Sequence, residues 1–148
     1  MRNAECKGEV VTRTGLAART QAFALAVVRL VEDLPRSRTA DVMGLQLLRA
    51  GTSVGANYRA ACRARSRREF IAKMGIVEEE ADESQFWLEL LAKRGVLDAE
   101  RASSLQGEAS QIVAMTVSSI RTARRTARST PHSAFRTPHS PVDASSVH

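Results

Sequence analysis

A chain of 148 residues that is 43% hydrophobic but only 4% aromatic holds material for one modest core, filled by Ala, Leu and Val rather than rings, which favours closely approaching helices over a large aromatic-lined pocket. Its 22 Lys and Arg outweigh 16 Asp and Glu, and the resulting formal charge of +6 points toward an anionic partner. No apolar run reaches the roughly 18 residues of a membrane span, residues 1–8 include Glu5 and lead into no signal-peptide core, and Cys6 and Cys62 read as two reduced thiols, so the expectation is a cytoplasmic chain with no membrane partner.

The first helical pattern covers residues 16–34, where Phe23, Val27, Leu30 and Leu34 recur at steps of four, three and four and Pro35 ends the run. A second helix is expected from about Thr39–Asp41 toward Cys62, with Val42, Leu45, Leu47 and Leu48 as its apolar side. The small block from Gly51 to Asn57 could break it by propensity, but small residues also let a neighbouring helix approach, and one continuous helix is the reading adopted.

Ser66-Arg67-Arg68-Glu69 has the spacing of a capping box and opens the clearest period in the chain. Phe70, Met74, Val77, Ala81, Ser84, Leu88 and Leu91 alternate in steps of four and three, the seam of a packed helix, while Ile76, Phe86, Trp87 and Leu90 widen its apolar surface. Lys93-Arg94-Gly95 reads as its end, and Asp98 as the cap of a fourth helix striped by Leu105, Ala109, Ile112, Val113, Thr116 and Ile120, which is expected to fray near Arg125–Ser129. The fold class is therefore all-α, an antiparallel up-and-down four-helix bundle over residues 16–128, with an N-terminal extension over 1–15 and a flexible tail over 129–148. In that tail Thr130-Pro131-His132-Ser133 nearly repeats as Thr137-Pro138-His139-Ser140, and its prolines and lack of acidic or cysteine partners give His132, His139 and His148 no defined metal cage.

Three separated blocks, Leu47 to Ala61, Ser66 to Ile71 and Glu80 to Leu91, together resemble the bacterial four-helix-bundle proteins related to the protein encoded by intervening sequences within large-subunit ribosomal RNA genes, the S23 type. The similarity runs from roughly residue 16 to residue 120. It implies an antiparallel bundle that assembles into a five-fold ring, a homopentamer, and it implies little about activity. A related accessory protein of diversity-generating retroelements is basic and works with a reverse transcriptase and nucleic acid, a partnership this chain does not inherit from resemblance alone. The resemblance also gives weight to Asn57, whose amide can donate and accept between helices; the expected bond is structural, to Glu83 or a main-chain group.

The acidic run of Glu78, Glu79, Glu80, Asp82, Glu83 and Glu89 invites metal or acid chemistry. A ferritin-like site wants Glu-x-x-His on two helices, and no histidine lies between Met1 and Thr130. Consecutive acids point in different directions around a helix, so pairing with arginines across helices or subunits is the expected role, with Glu79 and Glu83 one turn apart. No Gly-x-Ser-x-Gly elbow and no phosphate-loop pattern occurs, so no catalytic residue, metal or cofactor is assigned and the chain is read as a non-enzyme.

Two basic groups remain, Arg59, Arg63, Arg65, Arg67 and Arg68 around the second joint, and Arg121, Arg124, Arg125 and Arg128 late in the fourth helix. An arginine fork suits carboxylates of a second subunit or nucleic-acid phosphates. The leading expectation is a non-catalytic oligomeric scaffold or adaptor, with Phe86, Trp87 and Leu90 making subunit or protein contacts. The competing one is an RNA- or DNA-binding accessory protein acting through the arginines, though no interleaved aromatics supply base stacking.

Overall fold

The computed structural model describes residues 10–129, with side chains from residue 15 onward; Cys6, the three histidines and the expected tail beyond Ser129 lie outside the described residues. Four helices follow one another, α1 (Val10–Glu32), α2 (Arg38–Ala61), α3 (Arg67–Lys93) and α4 (Ala99–Ser129). The first begins ahead of the expected residue 16, and the fourth runs through the stretch where fraying was expected.

Local chemistry sets the boundaries. Ser37 Oγ accepts the Ala40 amide at 3.1 Å and opens α2; Ser66 Oγ accepts the Glu69 amide at 3.0 Å and opens α3. Glu69 Oε2 reaches back to the amide of Arg65 at 2.8 Å, one residue before the serine amide that a capping box would use. At the far end of α3, Gly95 adopts φ +79, and the Val96 and Gly95 amides donate to the carbonyls of Leu91 and Ala92 at 3.2 and 2.9 Å, a left-handed cap that favours glycine. Asp98 Oδ2 then accepts the Arg101 amide at 3.1 Å and opens α4.

Helix α1 packs on α2, α2 on α3, α3 on α4, and α4 closes back on α1. The pairing is antiparallel throughout: Gly44 faces Val31 and Leu34 whereas Gly55 faces Thr20 and Ala24, so numbering rises along α2 as it falls along α1. Gln106 and Ser110 of α4 bond to Gln85 of α3, and Arg101 near the start of α4 pairs with Asp33 after the end of α1 at 2.9 Å.

The α3 seam is buried at all seven positions from Phe70 to Leu91. The α2 face differs from the one expected. Leu47 is buried, but Val42 and Leu45 are exposed, and the inward side is made by Met43, Gly44, Ala50, Gly51, Val54 and Tyr58. Small residues there admit α1 so closely that the two helices meet nearly backbone to side chain: a Cβ on Gly55 would lie 3.3 Å from the Thr20 carbonyl oxygen. Val42 and Leu45 are thereby turned outward, and the block from Gly51 to Asn57 stays helical.

Candidate interaction surfaces

Two surfaces stand out, one apolar and one basic, at opposite ends of the bundle. The apolar one starts from a charge clamp. Arg49 of α2 donates to Glu80 at 3.3 Å and to Glu83 at 2.5 Å, both on α3, and fixes the register of the two helices. Trp87 Nε1 donates to the same Glu83 oxygen at 3.1 Å. These bonds, the arginine's first and the indole's second, hold the Glu83 carboxyl below the usual carboxylate range, and the glutamates raise the Arg49 guanidinium.

From this clamp, α2 runs back through Leu45 and Val42 in steps of four and three, while antiparallel α3 runs forward through Phe86 and Leu90. All four are exposed, by 63%, 57%, 54% and 37%, and among the described residues Leu25 alone joins them as an exposed large hydrophobic side chain. Half-buried Trp87 stands edge-on to Phe86, with ring centroids 4.9 Å apart, and stiffens the patch from beneath. Leu45 also borders a shallow groove with Val31, Leu34, Ala40, Asp41 and Leu48.

Of the residues singled out from sequence, Glu79, Glu83, Phe86, Trp87 and Leu90 share this outer strip of α3, with Glu79 exposed and Glu83 in the clamp. Asn57 is elsewhere, in the last turns of α2, where its Nδ2 donates to the Ser53 carbonyl at 2.9 Å, a main-chain bond within its own helix rather than the expected one between helices. Sequence reasoning put Val42 and Leu45 on the apolar side of α2 and so missed them as surface residues that share a face with Arg49. Their steps of three and four were a signal available in the sequence once the glycines were assigned to the inner face.

The basic surface is produced by topology. In an antiparallel bundle the end of α2, the start of α3 and the end of α4 come to the same end. Both arginine groups lie there. Counting back along α3 from Gln85 to Arg68, and forward along α4 from Gln106 and Ser110 by the same rise, arrives between Ala123 and Ala127, so Arg124 and Arg125 stand level with Arg68. Arg59, Arg63, Arg65, Arg68, Arg121, Arg124, Arg125 and Arg128 are exposed; Arg67 is half-buried and already engaged. No acidic residue occurs from Ala50 to Arg68 or from Ala109 to Ser129.

A further cross-helix ion pair joins Arg19 of α1 to Glu108 of α4, two bonds of 2.8 and 3.0 Å, with Arg19 also reaching Met115 Sδ at 3.5 Å. The arginine bond keeps the Glu108 carboxyl low. Among the described residues no group of His, Cys, Asp and Glu could hold a metal ion, and no helix is long and apolar enough to cross a membrane.

Comparison with known proteins adds a family to this geometry. The family model described as 23S rRNA-intervening sequence protein matches residues 16–118. A crystal structure of a protein of unknown function from the S23 ribosomal protein family of Bacteroides thetaiotaomicron is 35% identical, with a TM-score of 0.69, over 73% of this chain and 96% of that one. No curated protein matches the chain.

Proposed function

The chain belongs to the 23S rRNA-intervening sequence protein family, and from that premise we propose that it is a non-catalytic helical scaffold that assembles with copies of itself through the outer face of α2 and α3. The observation that carries this reading is the exposure of Val42, Leu45, Phe86 and Leu90 in one half of that face. Contiguous exposed apolar side chains mark interaction sites in soluble proteins, and aromatic anchors with a charged rim are the usual composition of such a site. Here Arg49, Glu79, Glu80 and Glu83 form the charged border.

The bordering charges limit which copies fit. A second subunit must cover the apolar half while leaving the Arg49 clamp paired, since a buried unpaired charge would cost several kcal/mol. Closure into a ring of five, the assembly implied by the family resemblance, lets each copy give one surface and receive another. Sedimentation equilibrium of the wild-type chain and of a Leu45→Gln/Phe86→Gln variant tests the reading. The expected result is an oligomer that the variant reduces to monomer with unchanged helicity; a monomeric wild type at high concentration would overturn it.

A further inference from the structure

Eight exposed arginines at one end of a bundle are a costly arrangement for a monomer, because like charges repel across the end of α2, the α2–α3 joint and the last turns of α4. Among the described residues no ion pair joins Arg59, Arg63, Arg65, Arg68, Arg121, Arg124, Arg125 or Arg128 to a carboxylate. The nearest acid in the chain, Glu69, spends one oxygen on the Arg65 amide. The opposite end, by contrast, mixes Glu32, Asp33, Asp41, Glu89 and Glu100 with its basic residues. Among the described residues the charge is polarised along the bundle axis.

We propose that this end docks the phosphate backbone of a nucleic-acid duplex. Three features select that occupant. The cations are arginines, whose planar forks engage phosphate oxygens in pairs. Among the described residues the end has no large exposed apolar side chain, since Leu25, Val42, Leu45, Phe86 and Leu90 lie elsewhere on the bundle; the described surface therefore offers neither a wedge that enters a membrane nor an anchor that centres a protein interface. Among the described residues its aromatic side chains, Tyr58 and Phe70, are buried and offer unpaired bases no platform on which to stack. What remains is a backbone-only surface, indifferent to sequence. Neighbouring helix axes lie about 8–10 Å apart, which spaces the joint arginines and the α4 arginines widely enough to touch separate phosphates. The surface does not depend on self-association, but copies joined side by side through α2 and α3 with parallel axes would present their basic ends on one side.

The test is fluorescence-anisotropy titration of the full chain with RNA and DNA duplexes of about 20 base pairs, single strands of the same length, and anionic phospholipid vesicles, over about 50 to 200 mM salt. Three variants are compared: Arg63→Ser/Arg65→Ser/Arg68→Ser, Arg121→Ser/Arg125→Ser/Arg128→Ser, and the charge-matched control Arg36→Ser/Arg38→Ser/Arg94→Ser at the opposite end. Either basic-end variant should weaken duplex binding at least about tenfold and flatten the log–log salt slope by about 0.9 for each phosphate it no longer neutralises, while the control binds as wild type. Protection of Arg63, Arg65, Arg121 and Arg125 from phenylglyoxal by duplex gives the same answer on the unmutated chain. Equal losses in the control, no duplex binding at the lowest salt, or tighter binding to vesicles or single strands overturns the proposal.

Discussion

Gly51 of α2 lies so close to Val27 of α1 that a methyl group on the glycine would sit 2.8 Å from both Val27 methyl carbons. Val27 is fully buried and β-branched, so it has no other rotamer in which to retreat. Gly51→Ala gains about 1 kcal/mol of helix propensity but meets about 1–3 kcal/mol of overpacking, and a net loss near 1 kcal/mol is expected in urea denaturation. Gly75, on α3, has nothing within 4 Å of its would-be Cβ, and Gly75→Ala should stabilise by about 0.5–1 kcal/mol. A Val27→Ala/Gly51→Ala double variant should show favourable coupling; strict additivity would sink the steric explanation.

That close approach also explains what could be read from the chain and what could not. The α3 seam from Phe70 to Leu91 was legible because each core position carries a side chain that the period detects, with Ser84 buried by bonding to the Glu80 carbonyl at 2.8 Å. On α2 the period follows small residues, and a reading weighted by side-chain size assigned Val42 and Leu45 to the core when Gly44, Ala50 and Gly51 occupy it. The arginine groups were legible one by one. Their meeting at one end follows only when the up-and-down order is applied to α2, α3 and α4 together.

Thr116 is fully buried in α4, and its hydroxyl has no hydrogen-bond partner, unlike Thr20, which bonds to the Ala17 carbonyl at 3.2 Å. An orphaned buried hydroxyl costs about 1–3 kcal/mol, so Thr116→Val should raise the denaturation midpoint by about 1 kcal/mol of stability with an unchanged m-value. Thr20→Val, which removes a bonded hydroxyl, should gain less or lose. A destabilised Thr116→Val chain would show that the hydroxyl is satisfied in solution.

Glu83 and Glu108 both have carboxyls lowered by their arginine partners, Arg49 and Arg19. A group whose folded pKa lies below its unfolded value stabilises the fold above the unfolded value, about 4.3 for glutamate, and that contribution is lost as pH falls through the folded value. Stability should therefore hold near neutrality and decline from about pH 5 downward. A Glu83→Gln/Glu108→Gln variant should be less stable at pH 7 and less sensitive to acid. Both partners are substantially exposed, so added salt should narrow the difference between the two chains.

Trp87 is the chain's only tryptophan and stands at the edge of the apolar strip, half-buried against Phe86 with its indole N–H held by Glu83. Its emission therefore reports on that face without a label. If copies meet over Leu45 and Phe86, assembly removes water from the indole's exposed edge and shifts emission to shorter wavelength, whereas dilution reverses the shift. The Leu45→Gln/Phe86→Gln variant should emit at the longer wavelength at every concentration, although Phe86→Gln alone alters the ring beside the indole. Leu45→Gln by itself separates the two causes, because it lies on α2 and leaves the Phe86–Trp87 pair intact. An emission maximum independent of concentration in a chain that sedimentation shows to be oligomeric would place the subunit contact on a different face.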